Sequence, residues 1–140
     1  MSGAGHARVA RGGDLGLRAW GVDLPDALDQ AVRCLAGILA GPEAARALEG
    51  RPVHVAAGEP EAQLVALLED CLYRFEVEGW LAAEASLSSD GAGGLCGALR
   101  GEPFDALRHG EGCPIKAVTW HHLSVASGAA CVVLTATLDC

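Results

Sequence analysis

Apolar residues recur along the first half of the chain with two different periods. Leu15, Leu17 and Ala19 alternate with other residues from Leu15 to Val22, as in a half-buried strand. Asp23, Pro25 and Asp26 then give a helix start, with a side-chain oxygen to cap free N–H groups and a proline in the first turn. From there Leu24, Ala27, Leu28, Ala31, Val32, Leu35, Ile38 and Leu39 follow the three-four spacing of one buried stripe, and Gly41-Pro42 ends it. A short strand is expected over Pro52 to Ala57, and Gly58-Glu59-Pro60 opens a second helix running to about Phe75, with Leu64, Leu67, Leu68, Cys71, Leu72 and Phe75 as its stripe. The two successive strand-helix units hint weakly at duplication.

Beyond Gly79 the period returns to two: Leu81, Ala83, Ala85 and Leu87 alternate until the run Ser88 to Gly94 forces a turn, and a returning strand is expected over Leu95 to Leu99. The segment Gly101 to Pro114 reads as a long polar loop. Two final strands, Lys116 to Ala126 and Ala130 to Leu138, are joined by Ser127-Gly128-Ala129; their β-branched residues suit the centre of an antiparallel sheet. Helices early and strands late predict an α+β fold, with two helices packed on one side of a largely antiparallel sheet. Residues 1–13 are expected to be a flexible N-terminus ahead of a single domain over residues 14–140.

Length and charge narrow the functions. A chain of 140 residues has the size of one ordinary domain, able to bury roughly 70% of its unfolded surface. It has no apolar run of about 18 residues to span a bilayer, and Met1 to Gly13 lacks the apolar stretch of a secretory signal, so no membrane and a cytoplasmic address are expected. The formal net charge of −8 repels a phosphate backbone, which argues against tight direct nucleic-acid binding; work on RNA would go through a partner that supplies the positive surface. The cysteines, Cys34, Cys71, Cys96, Cys113, Cys131 and Cys140, form no CxxC pair, and in a reducing compartment they read as small apolar residues or idle thiols.

Asp14 and Asp139 each stand where an expected strand meets a loop or terminus, and Cys140 adds a main-chain carbonyl and the terminal carboxylate beside Asp139. Should the first and last strands lie close together, these oxygens would suit calcium or magnesium, whereas zinc would want histidine or cysteine. Spacing alone favours two ordinary solvated aspartates. Lys116 is the only lysine of the chain; it offers a compact charge with three rotatable donors that arginine does not reproduce, and a solvated lysine at a strand start is an equal reading. His109, His121 and His122 with Cys113 fit no zinc spacing, and no local signature makes Cys113 or Cys131 a nucleophile. Gly12-Gly13-Asp14-Leu15-Gly16 lacks the lysine and hydroxyl residue of a phosphate loop.

At Ile115-Lys116-Ala117-Val118-Thr119-Trp120-His121, followed by a hairpin and Leu138-Asp139, the chain resembles the closing third of the archease family. Leu72 to Trp80, Gly101 to Asp105 with Arg108-His109, and Asp14 to Gly21 are similar to that family's other blocks, in collinear order over nearly the whole chain. The resemblance implies that Asp14 and Asp139, with main-chain oxygen of Cys140, bind a divalent cation, calcium first and magnesium second, and that Lys116 supports activity. It implies a cofactor protein rather than a self-sufficient enzyme: archeases assist the RtcB-type RNA-splicing ligase, promoting its guanylylation by GTP and its repeated turnover in tRNA splicing and RNA repair. Archeases commonly carry His-Thr-Ala before the first aspartate, where this chain has Arg11-Gly12-Gly13. Two rivals remain open, a stand-alone metal-assisted hydrolase using the same aspartates and a general chaperone-like protein-binding module.

Overall fold

The computed structural model describes residues 3–11, 14–40, 45–110 and 112–139, and the backbone alone at Arg11. Strands β1 (Gly5–Arg11) and β2 (Asp14–Gly21) precede helix α1 (Leu24–Leu39). Strand β3 (Glu49–Val55) and helix α2 (Pro60–Glu78) follow, then the hairpin of β4 (Trp80–Ser89) and β5 (Leu95–Pro103). A one-turn helix, α3 (Ala106–His109), leads to the closing hairpin of β6 (Ala117–Ser127) and β7 (Val132–Asp139).

The α+β class expected from the element order is what the chain adopts. Its strands divide into two antiparallel sheets, one ordered β1-β2-β7-β6 and the other β3-β5-β4. Helix α1 packs against β2 of the first sheet and β4 of the second, so one stripe serves both. Ala27, Leu28, Ala31, Val32, Leu35 and Ile38 are at most 1% exposed. At its start the Asp23 carboxylate accepts the Asp26 N–H at 2.9 Å, a cap that contributes about 1 kcal/mol. Its Asp29 accepts the Ala85 N–H of β4 at 2.8 Å, which satisfies a backbone donor on the edge of the second sheet. The stop expected at Gly41-Pro42 lies outside the described residues.

Helix α2 runs one turn beyond the expected end, to Gly79, whose φ of 63° is the left-handed cap that glycine adopts without a Cβ penalty. The helix packs between β4 and β6.

Three expectations need correction. Gly5–Arg11 are not a flexible tail: they pair along their length with β2. The strand escapes hydrophobic patterning because polar residues tie it to α1. His6 Nδ1 lies 2.8 Å from Gln30 Oε1, and Arg8 donates to the Gly37 carbonyl at 2.5 Å. Second, the alternation expected across Leu81, Ala83, Ala85 and Leu87 is broken by a bulge at Ala83, which leaves Leu81 and Ala82 both buried. Third, the segment read as a loop from Gly101 is strand as far as Pro103 and contains α3.

Candidate functional site

The closing hairpin delivers the first candidate residues. Of its two strands only β7 is central, paired on one side with β2 and on the other with β6. Leu15 stands opposite Leu138, and Ala117 opposite Asp139. Leu15 with Leu138 is the last pair of that ladder, and carrying its register one step further would set Asp14 level with Asp139, two residues separated by almost the whole sequence. Directly opposed residues share a face, with Cβ atoms about 4.5–5.5 Å apart. Leu17, Ala19, Leu134, Ala136 and Leu138 turn inward, so alternation sends Asp14 and Asp139 to the outer face, where both are exposed.

Two residues before Asp139 on that face is Thr137, flanked by Gly16 and Thr119. Its side-chain oxygen is buried without a hydrogen-bond partner, which in a dry site costs about 1–3 kcal/mol. Among the described residues no group of three or more His, Cys, Asp or Glu side chains gathers tightly enough to hold a metal. The described side chains at this end of the sheet, Asp14, Asp139 and Thr137, offer oxygen, the donor type of hard cations rather than of zinc. Cys140, named as the third contributor, lies outside the described residues, as do Gly12 and Gly13.

Lys116 precedes the first paired residue of β6 and donates its backbone N–H to the Asp139 carbonyl at 2.7 Å. Its exposed side chain lines a cleft against α2 together with Glu69, Tyr73, Glu76 and Val77. Lys116 and Asp139 are thus fixed together through main chain.

His109, His121, His122 and Cys113 are not a cluster. The imidazoles of His121 and His122 lie 3.9 Å apart, tilted at 57°, in an irregular stretch of β6, where four residues, Trp120 to Leu123, oppose the single Ala136. His122 takes up the misfit with a φ of 57°. His109 is fully buried elsewhere.

The sequence reading missed what surrounds His109. The Asp105 N–H donates to His109 Nδ1 at 2.9 Å, and Nε2 lies 3.1 Å from Glu102 Oε2 and 2.5 Å from an Arg108 guanidinium nitrogen. Glu102, 4% exposed, also accepts from the Arg108 guanidinium and the Arg46 N–H. Burial pushes its carboxyl pKa up, but the bonds from Arg108, Arg46 and His109 outweigh it and hold the value at about 2. The cluster pins the 45–48 segment and α3 to the end of β5. Phe104 stacks on His109 at 5.4 Å and meets Phe75 of α2 edge-on at 4.9 Å. In the sequence these residues stand out only as the block Gly101 to Asp105 with Arg108-His109 that resembles the archease family, inside a stretch otherwise read as loop.

Burial raises the thiol pKa of Cys34 to about 11 and of Cys71 to about 12, so both are inert at neutral pH. No helix among the described residues is long and apolar enough to cross a membrane.

Comparison with known proteins agrees with this architecture. The archease protein family matches residues 8–140 of the chain. Protein archease of Methanopyrus kandleri is 28% identical over 115 residues, which are 80% of this chain and 82% of that protein. Protein archease of Pyrococcus furiosus is 25% identical over 115 residues, 80% and 81% of the two chains. The solution structure of protein 1598 of Methanobacterium thermoautotrophicum superposes with a TM-score of 0.77 at 20% identity, over 97% of this chain and 99% of that one. The crystal structure of an archease from Thermotoga maritima, described as a possible chaperone, gives 0.64 at 19% identity over 94% of each.

Proposed function

The chain belongs to the archease family, and from that premise we propose that it activates an RNA-splicing ligase of the RtcB type, promoting the ligase's reaction with GTP and its turnover in tRNA splicing and RNA repair. The observation that supports the reading is the register between β2 and β7, whose last pair is Leu15 with Leu138; carried one step further, it would set the exposed Asp14 and Asp139 side by side. Two carboxylates directly opposed repel each other, and a divalent cation would remove that repulsion. Asp14, Asp139 and a main-chain oxygen of Cys140 would hold it. A bound calcium or magnesium supplies fixed positive charge for phosphate oxygens.

The chain's own residues contribute position. The β2-β7-β6 ladder and the Lys116 N–H bond to the Asp139 carbonyl tie the backbone of the single lysine to the strand that carries Asp139. Electrostatic help to phosphoryl chemistry depends on such positioning more than on covalent steps. A net charge of −8 favours a basic partner protein over bare RNA.

The test is ligase guanylylation with substoichiometric wild-type chain, Asp139→Ala and Lys116→Ala. Both variants are expected to stimulate at least tenfold less; undiminished stimulation by both would remove the mechanism. A second reading, a chaperone-like role, is favoured by the description of the Thermotoga maritima relative as a possible chaperone. Suppression of unrelated aggregation that survives Asp14→Ala would support it instead. Nucleotide hydrolysis by the chain alone with magnesium would favour the stand-alone hydrolase.

A further inference from the structure

Two clefts open along one seam, between the C-terminal half of α2 and residues 112–117. The first is apolar, lined by Phe75, Phe104 and Pro114 among others, with a volume of about 280 Å³. The second is lined by Glu69, Tyr73, Glu76, Val77 and Lys116. Tyr73 and Val77 leave 55% and 64% of their surface to solvent, an unusual exposure for two large side chains on one helix face.

The charges around them are unequal. The other acidic residues near this end of α2 are matched: Asp70 pairs with Arg74 at 3.0 Å and Glu78 with Arg51 at 2.9 Å. Among the described residues, Glu69 and Glu76 enter no ion pair, although they share a cleft with the Lys116 side chain. Two carboxylates against one lysine leave the cleft net negative, and with exposed apolar side chains between them they complement a segment with Arg or Lys on either side of an apolar anchor. A nucleic-acid strand would be repelled by the same carboxylates.

The cleft is also joined to the strand of Asp139 through main chain. Lys116 lies in its wall and bonds through its N–H to Asp139, and the next residue, Ala117, pairs with Asp139 in the ladder.

We propose that this cleft is where the chain docks its partner protein, by taking up a basic segment with an apolar anchor. The inference rests on the ligase-activating reading for its partner but not for its chemistry. It separates two tasks along the seam: Glu69, Glu76, Tyr73 and Val77 set affinity, and Asp14, Asp139 and Lys116 set the effect on the partner once it is bound.

The experiment titrates the chain against the RNA-splicing ligase, reading association by calorimetry and guanylylation in parallel. It compares wild type, Glu69→Gln/Glu76→Gln, Glu69→Arg/Glu76→Arg, Val77→Ser and Asp139→Asn. All the cleft substitutions are at solvent-exposed positions, so thermal melts are expected to be unchanged and serve as the folding control. The charge-reversed variant is expected to need at least ten times more chain for half-saturation, with the same maximal stimulation. The amide variant and Val77→Ser should fall between it and wild type, and the wild-type affinity should weaken as salt rises. Asp139→Asn should instead keep its half-saturation point and lose maximal stimulation. Equal half-saturation for wild type and the reversed variant overturns the docking site and leaves the ligase reading intact. Tight, cleft-dependent association without stimulation overturns the ligase-activating reading and leaves the docking site. No association of the wild type overturns both.

Discussion

Lys116 donates its backbone N–H to the carbonyl oxygen of Asp139 at 2.7 Å, while its side chain lies in the cleft against α2. Main chain and side chain therefore do separate work, and substitutions can tell them apart. Lys116→Ala retains the N–H and empties only an exposed position, so unfolding free energy is expected to change by less than about 0.5 kcal/mol. Lys116→Pro removes the donor and should cost about 1 kcal/mol or more. Urea denaturation of both, beside the guanylylation assay, checks this; equal stability of the two variants would deny the bond any weight.

Asp14 and Asp139 predict a cation-dependent melting temperature. Calcium at about 100 times its dissociation constant should stabilise the wild type by about 2.7 kcal/mol, seen as a rise in Tm that chelator reverses. Asp14→Asn and Asp139→Asn should lose that rise. Without calcium the variants should melt no lower than wild type, because each replaces one of two opposed carboxylates by a neutral amide. Differential scanning fluorimetry with calcium, magnesium and zinc orders the ions, and a response to zinc alone would contradict an oxygen site.

Helices α1 and α2 and the β2 and β7 strands are legible in the sequence because each buries a periodic set of residues, as with Leu28 and Leu35 of α1 or Leu134 and Leu138 of β7. Strand β1 was not, since His6 and Arg8 anchor it by polar bonds that leave no apolar alternation. The split into two sheets was hidden for a different reason: period reveals which face of a strand is buried, not which strand is its neighbour. Asp14 and Asp139 were found as candidates at strand ends, but their adjacency depends on the pairing of β2 with β7. The Glu102 cluster depends on side chains converging from β5, α3 and the 45–48 segment, which no spacing in one element encodes.

Burial separates the thiols by reactivity. Cys113 is exposed, whereas Cys34 and Cys71 are 3% exposed with their pKa values raised by burial to about 11 and 12. Iodoacetamide at about pH 8 should therefore label Cys113 within minutes and spare Cys34 and Cys71 until the chain unfolds. Peptide mass spectrometry after timed quenching reads the order. Labelling of Cys71 as fast as Cys113 in the folded protein would show that α2 is not packed as described.

Glu102 predicts how the fold responds to acid. Its carboxyl is held at about 2 in the folded chain against an ordinary value of 4.5. Between those values the unfolded chain binds a proton that the folded chain does not, so stability falls as pH is lowered. The contribution of the carboxylate is fully present above about 4.5, and is lost as pH falls through about 2. Glu102→Gln removes the titrating group and leaves the Arg108 guanidinium without its carboxylate. At about pH 6 the variant is expected to be less stable by on the order of 2 kcal/mol, below the usual 3–5 for a broken buried pair because the Arg108 side chain is one-third exposed. The gap should narrow steadily below about pH 4.5 as wild type loses what the variant never had. Urea titrations at several pH values measure it, and a gap that stays constant from pH 6 to pH 2.5 would mean that the ionised carboxylate is not what holds the 45–48 segment and α3 to β5.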